Sequence, residues 1–303
     1  MANFTAKDVQ ALREKTGCGM MDCKKALIEA DGNMEKAIEL LREKGLAAAA
    51  KKAGRIAAEG LVHCISENGV GVAIEVNSET DFVAKNADFV AFVDSTAKTI
   101  AKENPADVEA LLALKLDGAD VTVEEALREK ILVIGENMKI RRFARYEGAV
   151  ATYIHGGGRI GVMVKFEADS ALAEKDAFQE MGRNVAMQIA AANPQYASQK
   201  EVSAETIAKE TEILTAQAMN EGKPQNIAEK MVQGRIRKFY EEVCLLDQNY
   251  VKNPDIKVGQ YIADTAKELG AAVELVSFVR FERGEGLEKR EDNFADEVAG
   301  MIK

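Results

Sequence analysis

Tryptophan is absent from the 303 residues, and aromatic side chains together make up only 6%. A stacking platform for single-stranded nucleic acid is built on such rings, so their scarcity argues against one. Histidine occurs twice, as His63 and His155, and the four cysteines, Cys18, Cys23, Cys64 and Cys244, show no C-x-x-C spacing. Two histidines are too few for a familiar zinc pattern, and the cysteines read as reduced thiols. Positive charge is short as well: 40 Lys and Arg against 50 Asp and Glu leave a net charge of −10. A sequence-independent nucleic-acid binder needs the opposite excess to displace counterions, although local basic patches remain open. No apolar run approaches the roughly 18 to 20 residues that span a bilayer. The opening Met1-Ala2-Asn3-Phe4 has neither the basic nor the apolar region of a secretion signal. The expectation is a cytoplasmic protein with no cofactor, no metal, no direct nucleic-acid partner and no membrane.

Enzyme signatures are also missing. No G-x-x-x-x-G-K-[ST], H-E-x-x-H or G-x-S-x-G occurs. Gly156-Gly157-Gly158-Arg159-Ile160-Gly161 matches G-x-G-x-x-G in form, but it falls between two strand-like segments. A phosphate site needs a helix N-terminus there, so a glycine-rich hairpin is the better reading. A hydrolase would have to be assembled from scattered acids such as Glu75, Glu79 and Asp81, and nothing in their spacing favours it.

What the sequence does contain is a duplication. Residues 59–101 and 147–190 each open on Glu-Gly, run through a strand-like segment, and re-enter as Val70-Gly71-Val72 or Ile160-Gly161-Val162. A helical stretch follows in both. It carries Phe89 and then Ala97-x-x-Ile100-Ala101 in the first copy, and Phe178 and then Ala186-x-x-Ile189-Ala190 in the second. Arg142-Phe143-Ala144-Arg145-Tyr146 and Val279-Arg280-Phe281-Glu282-Arg283 close the two halves. The period is too long for a solenoid, so two related subdomains packed together are expected. Only the first copy contains Thr80-Asp81-Phe82-Val83.

The pattern along the chain is α+β with antiparallel sheets. Residues 1–55 read as a three-helix module and linker: Thr5 and Asp8 start one helix, a second runs over 22–30, and a third runs from Met34 to Lys44, where Gly45 ends it. Ala47 to Arg55 reads as a linker, helical or not. The turn before the second helix carries Met20 and Met21, which either plug the small core or meet a partner with their flexible thioethers. Residues 56–147 form the first β-β-α-β subdomain, with a hairpin around Glu67-Asn68-Gly69 and a further helix over 121–134 before the last strand. Residues 148–286 form the second, interrupted at about 203–243 by an antiparallel helical hairpin whose stripes are Ile207, Thr211, Leu214, Ala218 and Ile227, Met231, Ile236, Phe239, Val243. Residues 287–303 form a terminal module, with a short helix over 292–302.

Phe82, Asn86, Phe89 or Val90, Val93, Ala97 and Ile100 recur at helical spacing, so periodicity favours Phe82 as a core residue. With Ser78 or Thr80 as N-cap, Asp81 becomes a first-turn acid complementing the helix dipole. His155 is presented at the tip of the glycine-rich hairpin, where the bland reading is a surface imidazole without a role.

The segments Thr16-Gly-x-Gly-Met-Met-Asp-Cys-Lys-Lys-Ala26, Thr80-Asp81-Phe82-Val83-Ala84-Lys85-Asn86, Ile134-Gly135-Glu136-Asn137 and His155-Gly156 resemble the bacterial elongation factor Ts family, in order and nearly end to end. The resemblance implies an N-terminal ubiquitin-associated-like module, a duplicated core, a protruding coiled coil and a C-terminal helix. It implies guanine nucleotide exchange on elongation factor Tu, engaged in both its GDP-bound and nucleotide-free forms, with no covalent chemistry. By the same resemblance, Thr80, Asp81, Phe82 and Val83 dislodge Mg²⁺ from the GTPase, with Asp81 and Phe82 intruding. Arg13, Met20, Met21, Lys24, Ile134, Gly135 and His155 contact the partner, and there is room for a higher-order complex. The alternative is a non-catalytic helical adaptor that tethers partners without changing a nucleotide off-rate.

Overall fold

The computed structural model describes residues 3–16, 18–222 and 224–289. The helix expected over 292–302 lies outside the described residues. Helix α1 (Ala6–Thr16) begins at a reciprocal box in which Thr5 N–H and Oγ1 donate to the Asp8 carboxylate at 2.6 and 2.8 Å. With α2 (Met20–Glu29) and α3 (Met34–Lys52) it encloses Val9, Leu12, Cys23, Ala26, Leu27, Ala37 and Leu41. The end expected for α3 at Lys44 is corrected by the structure. Gly45 is buried inside the helix, packed beside Arg128 and Leu132 with room for a Cβ, and the alanine-rich stretch continues as helix to Lys52. Tertiary packing outweighs glycine's weak helix propensity here.

Strands β1 (Glu59–Glu67) and β2 (Val70–Ser78) form the expected hairpin, with Asn68 and Gly69 at positive φ. After a 3₁₀ turn over Val83–Lys85 come α4 (Ala87–Glu103), the short α5 (Val108–Ala113), α6 (Val123–Ile134) and β3 (Met138–Glu147). The second half repeats this with β4 (Ala149–His155), β5 (Ile160–Glu167), α7 (Ser170–Ala173) and α8 (Asp176–Ala192). It then inserts α9 (Ala204–Asn220), α10 (Gln225–Val243), β6 (Asn249–Tyr250), β7 (Asn253–Lys257) and α11 (Val258–Leu269) before β8 (Glu274–Glu282). Helices α9 and α10 pack on each other as a hairpin that buries Ala218, Ala228 and Val232. The β6–β7 ribbon and α11 had no counterpart in the sequence reading. Among the described residues no helix is long and apolar enough to cross a membrane.

The two sheets, ordered β1-β2-β3 and β4-β5-β8, are both antiparallel. They lie face to face between α4 on one side and α8 on the other, giving an α-β-β-α sandwich. Strand β2 is buried along nearly its whole length because both of its faces are covered. Val62, Cys64 and Ala73 of one sheet meet Val150, Met163 and Phe281 of the other. The repeated glycines explain how close this contact is: a Cβ on Gly71 would overlap Val150, and one on Gly161 would overlap Val62. Burial in this seam pushes the Cys64 thiol up to about 12, which leaves it an unreactive packing group.

The halves also share a β-bulge, between Glu75 and Val76 in one and between Lys165 and Phe166 in the other. In the first half the bulge turns two consecutive arginines onto one carboxylate. Glu75, fully buried, accepts from Arg141 at 3.1 Å, from Arg142 Nε at 2.6 Å, from Asn77 at 3.0 Å and from the backbone N–H of Gly284 at 2.8 Å. A buried carboxylate is tolerated only with such partners, and these partners join β2, β3 and the chain after β8.

Replacing Gly71 by Ala is expected to lower stability in urea unfolding by about 1–3 kcal/mol through overpacking. Gly234→Ala, on an exposed position of α10 with nothing near its Cβ, is expected to raise it by up to about 1 kcal/mol.

Candidate partner-binding site

The chain leaves β2 at Ser78, whose hydroxyl donates to the Thr80 carbonyl at 2.9 Å. The next two residues interlock with the turn after α6. Glu136 accepts from Thr80 N–H at 3.0 Å and from Thr80 Oγ1 at 2.7 Å. In return Glu79 accepts from the Asn137 N–H at 2.6 Å. Arg55 joins both sides, reaching Glu79 at 3.3 Å while its carbonyl accepts from Asn137 Nδ2 at 2.8 Å. Gly135 makes the turn possible: it ends α6 with φ of +89°, a left-handed conformation suited to glycine. Ile134 and Gly135 are thereby brought beside the Thr80 segment. The Lys52 ammonium donates to the Ile131 carbonyl at 3.1 Å, which ties the end of α3 to α6, and burial followed by the nearby Arg55 charge holds its pKa below the ordinary value.

Beyond this clasp, Asp81 and Phe82 project. Phe82 is 78% exposed, while Val83 next to it is buried in the core of the first half. The expectation that Phe82 joins the stripe of Phe89 is therefore corrected. Helix α4 does not start at Ser78 or Thr80; its N-cap is Asn86, whose Oδ1 accepts from the N–H groups of Asp88 at 2.9 Å and Phe89 at 3.1 Å. Phe82 precedes the helix, so the 3.6-residue period does not extend to it. Asp81 is likewise not a first-turn acid of α4. It pairs with Lys85 at 3.2 Å on the surface, where such pairs contribute little.

The duplicate copy provides an internal reference. Counting back six residues from Phe89 and Phe178, Val83 falls on Leu172 and Phe82 on Ala171. Val83 and Leu172 are both buried, and Phe82 and Ala171 are both exposed. The scaffold thus needs only a small residue at this place, and the first copy carries a bare phenyl ring.

His155 ends β4, exposed, with Tyr153 Oη 3.1 Å from its Nδ1. The loop after it is a hairpin with Gly156, Gly157 and Gly158 all at positive φ, followed by β5 and not by a helix. A Cβ on Gly158 would run into Leu61, and the Gly158 carbonyl accepts from Val62 N–H at 2.8 Å. This pins the hairpin near the start of β1, whose Glu59 pairs with Ser78. His155 is therefore set at the end of the sandwich from which Thr80 emerges, without a hydrogen bond to residues 79–83 among those described.

On the N-terminal helices, Arg13 and Lys24 are exposed. Met20 and Met21 are exposed too, at 46% and 60%, so they do not plug the core. Ile28 went unnoticed in the sequence; it lies four residues after Lys24 on α2 and is 54% exposed. An isoleucine breaking the polar face of a short helix was the available signal.

A sequence model of the family described as Elongation factor TS matches residues 79–285, opening at the clasp residue Glu79. Elongation factor Ts of Clostridioides difficile is 56% identical over 307 residues, covering 100% of both chains. That of Syntrophotalea carbinolica is 55% identical over 303 residues, covering 99% of each. That of Clostridium perfringens is 55% identical over 303 residues, covering 98% of this chain and 99% of the relative. The chain belongs to the elongation factor Ts family. As a member of that family it is a translation elongation factor. The acids that a hydrolase would have required are occupied otherwise: Glu75 by Arg141 and Arg142, Glu79 by Asn137 and Arg55, Asp81 by Lys85.

Asn86→Ala removes the cap that makes α4 start after Phe82. It is expected to destabilise the chain by about 1 kcal/mol and to speed amide exchange over residues 83–89 more than elsewhere, read by hydrogen-exchange mass spectrometry.

Proposed function

We propose that the chain is a guanine nucleotide exchange factor for elongation factor Tu, with Asp81 and Phe82 as the pair that enters the GTPase and dislodges Mg²⁺. The observation that carries this reading is the exposed phenyl ring of Phe82 on a clasped segment, at a place where the second copy has alanine. Residues 1–55 act as a ubiquitin-associated-like docking module that presents Arg13, Met20, Met21 and Lys24. Ile134, Gly135 and His155 line the contact made by the core, which comprises residues 56–147 and 148–286, while Thr80 and Val83 complete the Mg²⁺-dislodging segment by anchoring Asp81 and Phe82 on either side. The α9–α10 hairpin serves as a coiled-coil arm, residues 287–303 as a terminal module, and the site of action is the cytoplasm.

The physics of such a step is direct. Mg²⁺ demands near-ideal octahedral oxygen geometry, so a small displacement of the groups that hold it loosens its grip on the nucleotide phosphates. Burying one phenylalanine contributes about 2 to 3 kcal/mol, equivalent to a roughly 30- to 150-fold weakening of the nucleotide. No bond is made or broken. Exchange follows from tighter binding to the nucleotide-free GTPase than to the GDP form, and linkage requires GDP to weaken this chain's binding by the same factor. The same holds for GTP, so the direction of exchange comes from nucleotide concentrations.

The test is the release rate of fluorescent GDP from purified bacterial elongation factor Tu with Mg²⁺ present. Wild type is expected to accelerate release, and Phe82→Ala to lose roughly tenfold or more of that acceleration. Asp81→Ser combined with Phe82→Ala, which copies the second half, should still bind while releasing GDP slowly. Acceleration by all three alike would place the wedge elsewhere, and binding without acceleration by wild type would favour the adaptor.

A further inference from the structure

Between β2 and α4, Asp81 and Phe82 are not buried and, among the described residues, make no hydrogen bond outside their own segment, Asp81 pairing only with Lys85 four residues on. Thr80 is held on one side by Glu136, and Val83 is buried on the other. The Phe82 carbonyl accepts from Lys85 N–H at 3.2 Å and the Val83 carbonyl from Asn86 N–H at 2.9 Å, so the segment is fixed again directly after the ring. Asp81 and Phe82 therefore span a gap between two anchors, and the exposed ring keeps its direction only while both hold.

Of the two anchors, the buried Val83 has a counterpart in the second copy, Leu172, and belongs to the shared scaffold. The Glu136 anchor is different. A carboxylate that takes both the amide and the hydroxyl of one threonine restrains its backbone and its side chain together. Its own position is set by the turn at Gly135 and by the reciprocal bond from Asn137 N–H to Glu79. Arg55, just beyond the end of α3, closes the ring of contacts.

We infer that Glu136 is a positioning residue for exchange: it does not enter the partner but holds Thr80 so that Phe82 is presented ready-formed. The inference rests on the exchange reading above. A ring presented by a loose loop would still be recruited after docking, but the loop would have to be ordered in the step that displaces Mg²⁺. Loss of the clasp thus acts on the rate within the complex and spares complex formation. A misplacement of about 1 Å in a group that must act in a defined geometry can cost about a hundredfold in rate.

The experiment measures GDP release from the GTPase against the concentration of this chain, giving a maximal rate and a half-saturating concentration. Glu136→Ala is expected to lower the maximal rate by about tenfold and to leave half-saturation within about twofold. Glu136→Gln should recover most of the rate, because its amide oxygen accepts from Thr80 N–H and its amide nitrogen donates to Thr80 Oγ1. Thr80→Val, which keeps the branched shape and removes one bond, should show a smaller fall in the same parameter, and it carries the test if Glu136→Ala does not fold. Amide exchange at Thr80 in the free chain should rise in Glu136→Ala. An unchanged maximal rate in both Glu136→Ala and Thr80→Val overturns the inference and leaves the exchange function standing. A rise in half-saturation with no fall in maximal rate also overturns it, since that marks a direct contact. No acceleration by wild type overturns the exchange reading and the inference with it.

Discussion

The architecture depends on the contact between two β-sheets that meet at bare backbone. Gly71 under Val150 and Gly161 under Val62 allow each sheet to receive side chains of the other. Any larger residue in either place would force the layers apart. Because each glycine lies at the corresponding point of its own half, the duplication and the contact are one feature: the same strand supplies the gap on both sides. The helices α4 and α8 then cover the outer faces, and Glu75 locks the arrangement by joining β2 to β3 and to the chain leaving β8.

On this symmetric body, the candidate site consists of departures from symmetry. Phe82 stands where its counterpart is Ala171. Glu136 grips Thr80, two residues before Phe82, from the turn that follows α6, and α3 continues past Gly45 to Lys52, so that Arg55 just beyond it reaches the same cluster. The N-terminal helices and the Phe82 segment are consequently connected through contiguous packed and hydrogen-bonded elements, α3 on α6 and the turn after α6 onto Thr80 through Glu136. A continuous connection of that kind suits a protein whose role, as proposed, is to apply displacement at one place on a partner while holding it at another.

Much of the fold was readable in advance. Self-similarity disclosed the two halves, Asn68-Gly69 disclosed the first hairpin, and the glycine run after His155 disclosed the second. The readings that failed did so for identifiable reasons. Periodicity extended the α4 stripe back to Phe82 because it cannot register a helix start, and Asn86, the actual cap, passed as one more polar residue. Glycine usually ends a helix, whereas Gly45 lies inside α3, buried beside Arg128 and Leu132, and the packing there carries the helix through it. Glu136 was visible only as part of a recognised segment, since its partner Thr80 is distant in sequence and a pairwise hydrogen bond leaves no periodic trace.

Local order is legible in the amino-acid string: which stretches alternate, which repeat at helical spacing, where the chain turns, and which family it resembles. Those properties follow from backbone preferences and side-chain patterning over short windows, and they are written in adjacent residues. The folded arrangement was needed to establish that Phe82 faces solvent, that Met20 and Met21 do as well, and that Glu79, Thr80, Glu136, Asn137 and Arg55 form one clasp. Each of these depends on what lies opposite a residue in space, and that is settled by the packing of whole elements against one another.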